Sequence, residues 1–356
     1  MRIGIYDPYL DDCGGGEKYM MTIAASLSKT HQVDVFWDHK KDFDDVALRF
    51  SLDLSKVKLV PNIFSAQTST FSRFMASKKY DRLIVLSDGS LPLVATKLFL
   101  HIQRPLEHID FSLFDKVKMR RVAKFFCNSQ YTKSYIDKTY STTAEVLYPP
   151  VQLHPKKTKK EKVVLHVGRF RIVDRTVNTQ DYKKQHVMIN VFKELVDKGL
   201  TGWKFILCVS VKEDDQKEFE KLCYDTKKYP IEFKVNLNND SLWEYYSKAS
   251  IYWHASGYGE NLEKNPERAE HFGISTVEAM GSGAVPVVIG AGGQKEIVTD
   301  GENGLLWNTI PELKEETLIL MNSKELWEEL SENAKKRAMD FGIDKFDKKI
   351  VEMIEA

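Results

Sequence analysis

Two glutamates, Glu270 and Glu278, stand eight positions apart in the stretch EHFGISTVEAM. Between them lie His271, Gly273 and the Ser275–Thr276 pair, and the small residues Gly281, Ser282, Gly283 and Ala284 follow. In one continuous helix eight residues span about 12 Å, too far for both carboxylates to share a ligand atom. A loop through Gly273 feeding a helix fits better. The helix start would then present N–H groups without intrahelical partners and the positive end of the dipole. Carboxylates beside it accept hydroxyl hydrogen bonds, while the amides receive an anion. A ligand with many hydroxyls and a diphosphate, a nucleotide sugar, uses both. The structural account of Glu278 is a capping box, with Ser275 as N-cap and Glu278 as its N3 partner. That account leaves Glu270, His271 and Gly273 unexplained.

Two other glycine turns suit an anion. Gly14, Gly15 and Gly16 lie between a strand pattern, RIGIYD, and a helical pattern, YMMTIAASLSK. Such a turn lets amides approach phosphate oxygens. A dinucleotide fingerprint needs a third glycine where Tyr19 stands, which disfavours a nicotinamide enzyme even though Asp38 ends the next strand. Gly292 and Gly293 precede a second short helix in GAGGQKEIV, and TDGENGLLW reads as a tight turn entering a strand.

These turns need a scaffold. RIGIYD, the helix and QVDVFWD form a β-turn-α-β unit, the opening of a doubly wound sheet. Further strands are expected at VKLV, RLIVLSD, TKLFLHI, KFFCNS and AEVLYP. PPVQLHPKKTKKEK, with its prolines and lysines, reads as a linker. The pattern then restarts, with strands at KVVLHVG, WKFILCVS, IEFKV, IYWHAS and VPVVIG. Helices are expected near Lys184–Lys198, Asp215–Lys227, Ser241–Ala249 and TVEAMGSG, and a charged helical stretch from Lys324 to Ala356. The expected organisation is α/β: two doubly wound halves, 1–150 and 151–335, with a final helical segment over 336–356. Two such halves joined by a linker imply a cleft.

The chain has 356 residues, 42% hydrophobic and 29% charged, with a formal charge of +1. That balance describes a globular protein and excludes a dedicated nucleic-acid binder. No apolar run reaches the ~20 residues of a membrane span, and MRIGIYDPY lacks a signal-peptide apolar region. A cytoplasmic protein is expected. Cys13, Cys127, Cys208 and Cys223 are widely spaced, so reduced thiols are expected rather than a metal or disulfide framework.

EHFGISTVEAMGSGAVPVV resembles the E-x7-E signature of retaining glycosyltransferases of family 4, also called group 1. GGGEKY, HIQRP, CNSQYTK, LYPPV, HVGRF and GGQKEIVTDGENG fall in that family's order along nearly the whole chain. The resemblance implies a GT-B architecture, two Rossmann-like domains facing across a cleft, with the last helix crossing back to the first. It implies a nucleoside-diphosphate sugar as donor substrate, no cofactor, and a glycan, lipid-linked or small-molecule acceptor. Glu270 would lie beside the transferred sugar. Phe272, Gly273 and Ile274 would offer backbone near sugar and phosphates, and Glu278 would hold the ribose hydroxyls. Arg169 and Lys183, with Lys184 as the alternative register, would form the basic pair on the diphosphate. Gly14, Gly15 and Gly16 would close from the first domain, the backbone at Val235 and Leu237 would meet the base, and His101 would stand at the sugar or acceptor side.

Two stretches, RIVDRTVNTQDY and SGYGENLEKNPERAEHFG, are longer than the family pattern leads one to expect. The second resembles mannosyltransferases that extend lipid-linked glycans, which favours GDP-mannose. No DxD motif sits in a suitable setting, so a metal-free reaction is expected, with the leaving diphosphate stabilised by fixed cations and amides. A non-hydrolysing nucleotide-sugar epimerase and a non-catalytic sugar-nucleotide binder are the competing readings. Trp243, Tyr245 and Tyr246 read as packing. KVKMRRVAKFF, Lys116 to Phe126, is basic and partly amphipathic, either a solvated face or a peripheral contact with anionic lipid at the inner membrane face.

Overall fold

The computed structural model describes every residue except Cys13, 107–111, Ile172 and 175–178. The chain divides into two compact units, Met1–Pro150 with Ile343–Ala356, and Val151–Gly342.

Unit 1 runs β1 (Arg2–Tyr6), α1 (Gly15–Leu27), β2 (Gln32–Phe36), α2 (Lys40–Phe50), β3 (Val57–Val60), α3 (Thr70–Ser77), β4 (Arg82–Leu86) and β5 (Lys97–Ile102). It continues with α4 (Leu113–Met119), β6 (Val122–Cys127), α5 (Gln130–Tyr140) and β7 (Glu145–Val146). The seven strands are parallel in the order β3-β2-β1-β4-β5-β6-β7. Strands such as RIGIY and RLIVL are apolar after their opening arginine because helices cover both faces of a parallel sheet.

Unit 2 repeats the plan. Its strands are β8 (Glu161–Arg169), β9 (Val173–Asp174), β10 (Thr179–Gln180), β11 (Lys204–Ser210), β12 (Ile231–Val235), β13 (Ala249–His254), β14 (Val285–Ile289) and β15 (Leu305–Trp307). Its helices are α6 (Gln185–Asp197), α7 (Gln216–Thr226), α8 (Asn239–Lys248), α9 (Ile274–Gly281), α10 (Gln294–Ile297), α11 (Ile310–Asn322) and α12 (Lys324–Ala338). The main sheet has the order β12-β11-β8-β13-β14-β15, all parallel. In both units the first strand is central and the order reverses beside it, the arrangement of a Rossmann-like sheet. The cores are separate: Ile3, Ile5, Ile84 and Phe126 in one, Val164, Phe205, Trp253 and Val287 in the other.

The charged stretch from Lys324 is not one helix. It breaks at Met339–Phe341, and α13 (Ile343–Glu355) belongs to unit 1. Phe346, Ile350, Met353 and Ile354 recur at helical spacing and are buried in the unit 1 core. The expected end at residue 335 falls inside α12.

The proline- and lysine-rich stretch expected as a linker is packed on unit 2. Leu153 lies against the Gly281 Cα, where a Cβ would come within 2.5 Å of its Cδ2. The Lys156 amide donates to Ser247 Oγ at 2.8 Å, and Lys160 Nζ donates to the Ala249 carbonyl at 2.7 Å. Lys116–Phe126 is likewise not one amphipathic helix. Val122 opens β6, and Phe125 and Phe126 enter the core. Among the described residues no helix is long and apolar enough to cross a membrane. Cys127 and Cys208 are buried reduced thiols and Cys223 is a half-buried one; Cys13 lies outside the described residues.

Candidate functional site

In unit 2 the chemistry gathers where β8 and β13 end side by side, the point at which the sheet order reverses. Open α/β sheets bind ligands outside the carboxyl ends of their strands at such points. β8 delivers Gly168 and Arg169, β13 delivers His254, and the loop into α9 delivers Glu270.

Glu270 Oε2 accepts from Lys183 Nζ at 2.6 Å and from His254 Nε2 at 2.9 Å. Burial works against its charge, but the Lys183 ammonium and the His254 N–H outweigh it and hold the carboxyl well below the usual range. His254 is buried, and enclosure lowers its own pKa although Glu270 opposes the shift. The ring is therefore a neutral donor. Its place was missed in the sequence, where IYWHAS carried only a strand signal; the pointer was a polar residue ending an otherwise apolar run.

The pair is fixed by its neighbours. Tyr182 Oη donates to the Ala269 carbonyl at 2.6 Å, fastening the residue before Lys183 to the residue before Glu270. The Gly293 amide donates to the Glu270 carbonyl at 2.7 Å. Gly273 adopts φ 118°, ψ 59° and is itself the N-cap of α9. That left-handed backbone favours glycine. The N-cap lies two residues earlier than a Ser275 capping box requires, so that account of Glu278 fails. Ser275 Oγ accepts from Tyr252 Oη at 2.8 Å, and Glu278, in mid-helix, accepts from Tyr246 Oη at 2.7 Å. The first-turn amides of α9, Ile274 and Ser275, have no partner within the helix. Phe272 is buried and meets Phe341 edge-on at 5.3 Å. His271 Nε2 reaches the Glu267 carbonyl at 3.1 Å.

Arg169 is exposed at the end of β8, and its carbonyl accepts from Gln185 Nε2 at 3.3 Å. Lys184 faces another way. It pairs with Glu260, which also takes Arg268 at 2.9 Å. Lys183 rather than Lys184 thus meets Glu270. Part of the long stretch before them, Ile172 and 175–178, lies outside the described residues. Val235 ends β12 exposed; Leu237 is half-buried beyond Asn236, whose side chain bonds both ways with the Val211 backbone.

In unit 1 four motifs converge. Tyr19 stacks on His101 at 4.4 Å, and its hydroxyl donates to the Leu147 carbonyl at 2.8 Å. Gln103 Nε2 donates to the Gly16 carbonyl at 3.4 Å, and Asn128 Nδ2 to the Gln103 carbonyl at 3.0 Å. His101 is fully enclosed between Tyr19 and Phe126, donates to the Phe126 carbonyl, and has its pKa pushed down to about 3 by burial. The turn itself is acidic. The Gly14 amide is taken by Glu17, and Gly15 opens α1. Asp7 is buried at the end of β1, its pKa raised to about 7 by burial and then by Glu17.

Comparison with known proteins bears out the fold. HepE of Anabaena, solved in complex with UDP, superposes with a TM-score of 0.74 over 100% of both chains at 17% identity, which shows a shared fold. An uncharacterised glycosyltransferase of Haemophilus influenzae is 25% identical over 97% of each chain. A GDP-Man:Man(3)GlcNAc(2)-PP-Dol alpha-1,2-mannosyltransferase of Dictyostelium discoideum is 25% identical over 59% of this chain and 42% of its own. The chain thus spans about half or less of the length of several relatives it matches. Residues 153–337 match the family described as glycosyl transferases group 1. Those residues carry Arg169, Lys183, His254, Glu270 and the Gly273 turn, so the fold and its polar centre lead to one assignment: the chain belongs to the group 1 glycosyltransferases.

Proposed function

We propose that this protein is a retaining glycosyltransferase that moves a hexose, mannose favoured, from a nucleoside-diphosphate sugar to a hydroxyl of a glycan, lipid-linked or small-molecule acceptor, without a metal. The observation that carries the reading is the 2.6 Å Lys183–Glu270 pair beside the glycine-capped start of α9. The Dictyostelium relative, named for GDP-mannose, supports mannose. The Anabaena neighbour holds UDP, so the base is chosen by experiment.

In this reading the diphosphate lies between Arg169, Lys183 and the amides of Ile274 and Ser275. Arg169 forks onto phosphate oxygens while Lys183 supplies a compact charge. Cations fixed before the leaving group gains charge need little reorganisation as it departs. Glu270, held ionised, is a poor proton donor. It accepts hydroxyl hydrogen bonds from the transferred sugar and faces the developing oxocarbenium ion. The acceptor oxygen bonds to the anomeric carbon as the C–O bond to the diphosphate breaks on the same face, and the acceptor proton passes to a departing phosphate oxygen. Glu278 holds the ribose hydroxyls, with Tyr246 orienting it, and the Val235–Leu237 backbone meets the base. The acidic turn of unit 1, from Asp7 to Glu17, suits acceptor hydroxyls better than phosphate, and His101 positions it as a neutral stacked ring.

The test is incubation with GDP-, UDP- and ADP-sugars, with and without acceptor hydroxyls. Release of nucleoside diphosphate with a new α-linked glycoside supports the reading. A changed sugar still joined to its nucleotide means an epimerase, and nucleotide binding without turnover means a silent binder.

A further inference from the structure

We propose that the α4 surface of unit 1 docks on an anionic lipid bilayer. Leu113, Phe114 and Val117 are 82%, 54% and 50% exposed. Their spacing places them together on one side of the helix. Lys116, Arg120 and Arg121 are exposed around them. The helix's one acid, Asp115, is bound by Ser112 and by Lys118 at 2.9 Å, so it offsets little of that charge outward. Lys118 Nζ in turn lies 4.9 Å from the Phe114 ring centroid. β6 begins directly afterwards and carries Phe125 and Phe126 inward, so the apolar residues left outside are those of α4 itself.

Apolar side chains ringed by lysine and arginine match the interface of a bilayer with anionic head groups. A helix of seven residues is too small for the ~800 Å² per partner of a stable protein interface. A second copy docked symmetrically would set Lys116, Arg120 and Arg121 against their own equivalents. A bilayer accepts a small insertion and rewards each cation near its surface. The inference adds to the proposed function the place where a lipid-linked acceptor would be met, but vesicle binding is read without sugar transfer, so each can fail alone.

The experiment is cosedimentation of the full chain with phosphatidylcholine vesicles, with and without phosphatidylglycerol, at low and high salt. Two double variants are compared, Leu113→Ser with Phe114→Ser, and Lys116→Ser with Arg120→Ser; circular dichroism confirms that both fold. Expected is binding to the anionic vesicles that weakens with salt and falls about tenfold or more in each variant. Absence of binding at low salt, equal binding to neutral vesicles, or binding that both variants retain overturns the proposal. So does a dimer, seen by sedimentation velocity, that the Leu113/Phe114 variant abolishes.

Discussion

Gly293 and Glu270 are joined main chain to main chain, and the join leaves no room for a side chain. A Cβ on Gly293 would fall 2.3 Å from the His271 carbonyl oxygen and 2.5 Å from the Phe272 Cα. Both obstacles are backbone, so the Glu270 loop must move. Gly293→Ala is expected to lower kcat/KM at least tenfold and to cost about 1–3 kcal/mol of stability, the usual range for overpacking. Steady-state kinetics and urea unfolding check it. Unchanged values in both would mean that the loop yields freely.

Glu270→Gln keeps the size and removes the charge. Turnover is expected to fall by about a hundredfold, the scale of losing one fixed electrostatic contact. Nucleoside diphosphate affinity is expected to hold or rise, because Lys183 loses its competing partner. Calorimetry with GDP and UDP reads the second effect. Wild-type turnover would take Glu270 out of the reaction.

Lys183 and Lys184 are adjacent but engaged differently, so their alanine variants should separate. Lys183→Ala and Arg169→Ala are expected to lower kcat/KM by about a hundredfold each. Lys184→Ala should leave kcat/KM nearly unchanged, because Lys184 pairs with Glu260, which keeps Arg268, whereas Lys183→Ala also leaves the buried Glu270 carboxylate without its ammonium partner. Equal kinetic losses at 183 and 184 would overturn the pairing seen at Glu270.

Acid should weaken unit 2 before unit 1. The pKa of His166 is pushed down to about 3 by burial, then by His254, and that of His254 is lowered as well. A histidine whose folded pKa lies below its unfolded value of about 6.5 loses stability as pH falls below 6.5, about 1.4 kcal/mol per unit. From pH 7 to 5, His166 alone removes roughly 2 kcal/mol from unit 2. In unit 1, His101 follows the same sign, but Asp7 opposes it. Its raised pKa of about 7 favours the folded state as pH falls below 7. Five of the six tryptophans, Trp203, Trp243, Trp253, Trp307 and Trp327, lie in unit 2. Urea unfolding followed by tryptophan fluorescence is therefore expected to show a lower midpoint at pH 5. Exchange of Trp253 and Val287 amides should rise more than that of Ile5 and Ile84, after correction for intrinsic rates.

The buried parallel strands were legible because apolar runs such as KVVLHV and VPVVI admit few other fates. Helices with clear spacing, such as α6 and α7, were equally visible. α2 and α11 were not, because KKDFDDVALRF and IPELKEETLILMN mix charge through the pattern. Ser275 looked like a cap because local chemistry favours it. The left-handed Gly273 took the position instead, since Tyr252 on the neighbouring strand claims the Ser275 hydroxyl. His254 gave only a polar end to an apolar strand as a local signal, because its role comes from a loop sixteen residues later. Lys183 and Glu270 are 87 residues apart, and only the resemblance to a known family placed them together before the fold did.

The last helix has a consequence for biosynthesis. Phe346, Ile350, Met353 and Ile354 seal a core whose other walls are made from the first residues onward. While the ribosome is still threading the middle of the chain, that early unit is open along the flank of α1. Nascent chains halted before residue 343 should accordingly be protease-sensitive within their first 150 residues, and release of the tail should bring resistance.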